Sequence, residues 1–394
     1  MTISAKIEQT LSKASWIRKM FEEGARLKSI HGNENVFDFS IGNPNLPPPK
    51  EFQEALEKVA AENEPGIHGY MPNTGYPFVR KAIAENIKED QAAADLTADD
   101  IVITCGAAGA LNVIFKAVLN PGEEVIVTRP FFVEYTFYAD NHGGVLKTVP
   151  AKKDFTLDID AIENAINDKT RVMLINSPNN PTGQIYSKES LKALGQLLDK
   201  KSREYGSIIY LVSDEPYRKI IFDDAFVPPV LACYKNSIIA TSHSKDLSLP
   251  GERIGYIAVN PESEYREKLL QAMALTNRIL GFVSAPALMQ RVLPYLKGAS
   301  VDVNAYKRKR DLLCDVLANA GIDFAVPPGA LYLFPKSPLK DDVKFVQALQ
   351  EELILAVPGT GFGGPGYFRL AFCVEDETIK KSKPAFKRVM DKLS

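Results

Sequence analysis

Between residues 100 and 260, short apolar runs alternate with amphipathic stretches, and this alternation dominates the chain. The runs Ile101–Thr104, Val125–Val127, Val145–Val149, Val172–Ile175, Ile208–Val212, Ile238–Ala240 and Ile254–Val259 are rich in β-branched and apolar residues. Strands apolar on both faces belong in a parallel sheet covered by helices on each side. The stretches between them carry helical spacing. Leu191, Leu194 and Leu197 fall on one face of a helix, and a second helix is expected from about Ala108 to Leu119. The connection from Thr241 to Arg253 is too short for a helical crossover, so the last strand is expected to run antiparallel to its neighbours. The pattern predicts an α/β fold with a mostly parallel seven-stranded sheet between helices.

The flanks read differently. Phe39 to Pro49 is rich in turn residues, helical spacing dominates from about Pro286 to Asn319, and Gly329–Phe334 and Tyr367–Phe372 read as further strands. A large domain is expected over residues 46–290. Residues 1–45 with 291–394 form an N-terminal arm and a smaller α/β domain. A chain of 394 residues is long enough to bury a core in each.

Charge and cysteine content narrow the class. Lys and Arg number 47 against 49 Asp and Glu, a balance that favours neither nucleic acid nor a membrane surface as partner. Cys105, Cys233, Cys314 and Cys373 are scattered, with no paired spacing for a metal, and reduced thiols suit a cytoplasmic compartment. The first residues lack the apolar core of a signal peptide, and no apolar run approaches the ~20 residues of a membrane helix. A globular enzyme is expected, without metal.

In sheets of this kind ligands bind beyond the carboxyl ends of the strands, and the unusual residues cluster there. Gly106-Ala107-Ala108-Gly109 lies where a strand turns into a helix, either as a packing device or to let backbone N–H groups approach a phosphate. Asn179-Asn180-Pro181-Thr182-Gly183 is a turn by composition, and an Asn amide there could also donate to a ligand oxygen. Asp214, in Asp214-Glu215-Pro216-Tyr217, leaves an apolar run, where a carboxylate needs a cation, unless it caps a helix or binds a metal. Ser242-His243-Ser244-Lys245 follows the sixth run, with Arg253 eight positions on (253 − 245) in a Gly-x-Arg-x-Gly frame. Lys245 is either a surface lysine in a serine-rich turn or one whose charge is removed by Schiff-base chemistry.

In order, spacing and residue type, these segments and Phe368-Arg369-Leu370-Ala371 resemble the class I aminotransferases, the aspartate-aminotransferase family of pyridoxal-phosphate enzymes. The resemblance runs from about Phe37 to the C-terminus. It implies pyridoxal 5′-phosphate as cofactor, with Lys245 as the Schiff-base lysine that also moves the substrate Cα proton. Asp214 would pair with the pyridine nitrogen, Asn180 and Tyr217 would hold the phenolate oxygen, and Phe132 would stack on the ring. Ala107, Ala108, Ser242 and Arg253 would hold the phosphate, joined by Tyr70 from a neighbouring subunit of a homodimer with shared sites. Gly42 and Asn180 would meet the substrate, and Arg369 would take its α-carboxylate.

Three departures stand out. Ala107-Ala108 replaces the polar side chain many members carry, Phe132 replaces an indole, and Asn176-Ser177-Pro178-Asn179 varies a commoner Asn-Pro-x-Asn. The implied reaction moves an amino group from an L-amino acid, aspartate or a similar one, to a 2-oxo acid such as 2-oxoglutarate. A β-C–S lyase or a decarboxylase shares most of these residues, and a non-catalytic sensing domain shares the fold. Arg18, Lys19 and Arg278 are candidate cations for a substrate side-chain carboxylate, none of them singled out by the sequence.

Overall fold

A computed structural model of the chain describes residues 3–12 and 16–393. Phe37–Asp38 forms a short strand, β1. The apolar runs then form β2 (Ile101–Thr104), β3 (Glu124–Arg129), β4 (Val145–Pro150), β5 (Thr170–Asn176), β6 (Tyr210–Asp214), β7 (Ser237–Ser242) and β8 (Gly255–Val259). These seven make one sheet in the order β2-β8-β7-β6-β5-β3-β4. Only β8 runs against its neighbours, as the short connection before it requires. Strands β2, β7 and β8 are buried along their length, while the edge strand β4 exposes Val145.

Helices cover both faces. Lys188–Tyr205 buries Leu191, Leu194, Leu197 and Leu198; Ser187 caps its start by accepting from the Ser190 N–H, and Gly206 ends it in left-handed conformation. Gly106–Val118 follows β2 directly and buries Leu111, Val113, Ile114 and Phe115 against the other face.

The second unit is built on small sheets. β9 (Tyr332–Leu333), β11 (Val357–Pro358) and β12 (Phe368–Ala371) form an antiparallel trio, and β10 (Ile354–Leu355) pairs in parallel with β1. Phe39, Tyr306, Phe345, Phe368 and Phe386 fill its core between helices Val303–Asn319 and Asp376–Leu393. Tyr217, Ile220 and Phe222, just past the end of β6, pack into this core and tie it to the large sheet.

One local expectation is refined and one corrected. The helical stretch after Pro286 is broken: Ala287–Val292 passes into a 3₁₀ turn at Leu293–Leu296, and a new helix begins at Val303 behind the Asp302 cap. Pro294 cannot donate to a continuing helix, and Gly298 adopts a positive φ beyond it. The strand read over Gly329–Phe334 shrinks to Tyr332–Leu333, because Ala330 is held at a left-handed φ of 61°.

Strand register positions the polar residues. Asn176, Asp214 and Ala240 lie side by side on β5, β6 and β7, and Gly255 faces both Ser242 and Thr104. The backbone is close-packed there. A Cβ on Gly255 would overlap the Thr241 carbonyl and lie 2.9 Å from Gly106 Cα. Gly255→Ala is therefore expected to lower stability by about 1–3 kcal/mol, read as a lower urea midpoint at unchanged slope. An unchanged midpoint would show that the sheet gives way there.

Candidate active site

The ends of β2, β5, β6 and β7 and the edge of the small sheets enclose a cavity of about 340 Å³. Gly42, Asn180, Tyr217 and Arg369 form the wall toward the small unit. Ala107, Ala108, Phe132, Asp214, Ser242, Lys245 and Arg253 form the wall toward the large sheet. Tyr70 is the exception among the residues singled out from sequence. It stands 95% exposed, outside the cavity wall.

Lys245 is largely covered, and its Nζ donates to the Gly42 carbonyl at 2.6 Å. Desolvation lowers its pKa to about 8; the nearby Cys373 thiol opposes the shift, and the positive charges of Arg369 and Arg253 reinforce it. Gly42 must be glycine at this approach, since a Cβ would overlap the Tyr332 hydroxyl. That hydroxyl is itself held 2.8 Å from the hydroxyl of Tyr217.

Asp214 is buried at the end of β6. Burial raises its carboxyl to about 7; the hydrogen bond from Tyr135 opposes the rise, and the neighbouring Glu215 adds to it. The Tyr135 hydroxyl donates to Oδ2 at 2.6 Å, whereas Oδ1 is buried without a partner. Asn176 fixes the local backbone, donating from Nδ2 to the Asp214 carbonyl and accepting from the Asn180 N–H.

Arg369 is 2% exposed, its guanidinium between the rings of Tyr332 and Phe362, 4.5 and 4.7 Å from their centroids. Nη1 donates to Asn180 Oδ1 at 3.0 Å and Nη2 to the Ser40 carbonyl at 2.6 Å, while Nε has no partner. With its oxygen taken, Asn180 keeps Nδ2 as a donor.

At the far end, helix Gly106–Val118 begins with Gly106 at a φ of 72°, and the N–H groups of its first turn lack intrahelical acceptors. The Arg253 guanidinium lies across this turn, where a Cβ on Gly106 would come within 3.0 Å of Nη2. Ser242 donates to Ser244 at 3.0 Å on the same wall. Positive charge, helix N-terminus and hydroxyls make an anion cradle.

Residues 34–382 match the family described as aminotransferase class I and II. The chain belongs to the class I/II aminotransferases. This family is pyridoxal-phosphate-dependent. The chain is 32% identical over 367 residues to a probable aspartate aminotransferase of Methanocaldococcus jannaschii, covering 91% of this chain and 94% of that one. An aminotransferase crystal structure from Eubacterium rectale superimposes with a TM-score of 0.96 at 40% identity, covering 100% and 99% of the two chains. The Thermus thermophilus aspartate aminotransferase with maleate gives 0.86 at 27% identity, covering 99% and 100%.

Several cavity residues escaped the sequence reading. Tyr135, Tyr138, Ser244 and Tyr332 line the wall, and Ser40 and Phe362 hold Arg369 from behind. Tyr135 follows Phe132 by three positions, at the start of the helix Glu134–Asp140, and this nearness in sequence was the available signal. Of the cations considered for a substrate side chain, Lys19 lies over the Trp16 ring and Arg278 is exposed, both outside the wall; the Arg18 side chain lies outside the described residues. Among the described residues no helix is long and apolar enough to cross a membrane, and no cluster could hold a metal.

A buried amine that titrates near 8 has a distinct reactivity profile. In cofactor-free protein, acylation of Lys245 should rise with a midpoint near pH 8, while exposed lysines follow the ordinary value of about 10.4. Peptide mapping after short labelling at a series of pH values reads this out. A Lys245 profile matching that of the surface lysines would contradict it.

Proposed function

We propose that the chain holds pyridoxal phosphate in this cavity and moves an amino group from an L-amino acid to a 2-oxo acid in two half-reactions. One observation carries the reading. A single cavity holds a lysine amine titrating near 8, a buried carboxylate oxygen without a partner, and a buried guanidinium with a free Nε. The residues fit the cofactor. Asp214 Oδ1 needs a donor that the protein does not supply, which suits a pyridine N–H; the cradle at Ala107, Ala108, Ser242 and Arg253 suits its phosphate. Asn180 and Tyr217 would face the phenolate oxygen, and Phe132 would lie against the ring, where stacking contributes on the order of 1 kcal/mol.

Bound there, the cofactor supplies an electron sink for the charge left when the substrate Cα–H bond breaks. The protein supplies the rest. Arg369, whose Nε has no partner, would turn that edge of its guanidinium to the substrate α-carboxylate and so orient it. The rings of Tyr332 and Phe362 hold that edge in place. Gly42 lines the cavity beside Lys245 and would meet the substrate there. Lys245, depressed toward neutral pH by burial, takes the Cα proton and returns it on the cofactor side. Aspartate or a similar amino acid as donor is supported by relatives named as aspartate aminotransferases, and 2-oxoglutarate is the acceptor proposed with it. The four free cysteines suit a reducing, cytoplasmic setting.

The donor half-reaction tests this directly. With one equivalent of amino donor and no acceptor, the loaded protein should release one 2-oxo acid per site and stop, the amino group remaining on the protein. Continued turnover without acceptor, releasing ammonia, sulfide or carbon dioxide, would instead identify a lyase or a decarboxylase.

Tyr70 extends the proposal to the assembly. A tyrosine 95% exposed on this chain fits a residue that serves the phosphate cradle of a second copy in a two-fold dimer. Tyr70→Ala and Arg369→Ala should each abolish most activity alone. Dimers mixed from the two variants should regain one intact site per dimer. No recovery on mixing would place Tyr70 in its own subunit's site.

A further inference from the structure

We infer that Tyr135 is a positioning residue for Asp214: its hydroxyl, bonded to Oδ2, leaves Oδ1 alone to accept from the cofactor's ring N–H and keeps the carboxylate ionised, so that the proton stays on the ring nitrogen. This rests on the pyridoxal-phosphate reading of the cavity and says which protein group determines the protonation of that nitrogen.

The geometry is specific. Tyr135 is 1% exposed, and its oxygen lies 2.6 Å from Oδ2, at the short end expected for a hydroxyl donating to a carboxylate. Burial and the Asp214 charge push the phenol well above its ordinary range, so it remains a neutral donor. Its ring meets Phe132 edge-on at 5.5 Å, so the residue facing the cofactor also fixes the angle of this donor. Asn176 holds the Asp214 backbone from the neighbouring strand. Asp214 is thus tied at its main-chain carbonyl and at one carboxylate oxygen, and the other carboxylate oxygen is free.

The electrostatics point the same way. Burial favours a neutral Asp214, and so does the negative charge of Glu215 next to it; the hydrogen bond from Tyr135 opposes both. The other titratable groups around Asp214 are Tyr138 on the helix of Tyr135, Tyr217 on its own segment, and Lys245 and Arg253 across the cavity. Tyr138 and Tyr217 are also pushed up by burial and remain neutral. Without the Tyr135 hydroxyl, Oδ2 is left buried without a donor, and ionisation of Asp214 becomes harder. The proton shared by the pair then shifts from the ring nitrogen to Asp214, and the nitrogen is left as neutral pyridine.

The test is ¹⁵N NMR of protein loaded with pyridoxal phosphate labelled at the ring nitrogen, with Asp214→Asn as the reference for an unprotonated nitrogen. Wild type should give the protonated shift at pH 7.5. Tyr135→Phe should move most of the way to the reference and bind the cofactor at least tenfold more weakly. Tyr135→His, which can donate again, should recover at least half of the shift, and it carries the test if the Phe variant does not fold. A Phe variant, or where that does not fold a His variant with no donor contact to Asp214, that keeps the wild-type shift and affinity within twofold would overturn the inference. A wild type that already shows the unprotonated shift would overturn the pairing of Asp214 with the ring nitrogen, and this inference with it.

Discussion

Everything in the cavity depends on taking three charged groups out of water together. Lys245, Asp214 and Arg369 line one space, and the isolated burial of any of them would cost several kcal/mol. Each meets that cost differently. Lys245 moves toward its neutral form and donates to Gly42. Asp214 moves toward its neutral form but is drawn back by Tyr135. Arg369 cannot lose its proton in this way, so it is wedged between two rings and bonded to Asn180 and Ser40. The atoms still unsatisfied, Asp214 Oδ1 and Arg369 Nε, are those a cofactor and a substrate carboxylate would satisfy.

This arrangement needs two cores rather than one. The large sheet holds Asp214 and Ser242 at the ends of buried strands, where register fixes their spacing. The small sheets carry Arg369 on β12, and Gly42 lies just past β1. Tyr217 belongs to both: it follows β6, packs in the second core, and meets Tyr332 across the gap. Movement between the cores would change the distance from Lys245 to Arg369, so the packing of Tyr217, Ile220 and Phe222 bears on the geometry of the cavity.

The charge pattern also separates adjacent residues. Asp214 and Glu215 are consecutive, yet strand geometry sends their side chains to opposite sides. Asp214 faces the cavity, whereas Glu215 accepts from Gln91, Ser213 and Arg218. One carboxylate is left reactive and the other is satisfied in the fold. The same two-residue alternation runs through Ser242, which faces the cavity, and Thr241, which bonds the Glu215 carbonyl.

The sequence by itself determined the fold class and the family. Strands apolar on both faces have one stable destination, a helix-covered parallel sheet, and the short link before β8 left only an antiparallel return. It also marked the strand ends as the place to look, because polar residues after apolar runs are costly without a partner. Tertiary structure alone decided the rest. It set which cavity atoms have partners, the bond from Tyr135 to Asp214, and the rings around Arg369. It also broke the helix after Pro286 and shortened the strand at Gly329–Phe334. The physical reason is range. Periodicity and turn chemistry are local and can be read along the chain, whereas Tyr135 meets Asp214 across 79 residues and Arg369 meets Asn180 across 189. Contacts that distant exist only once the two cores have closed on each other.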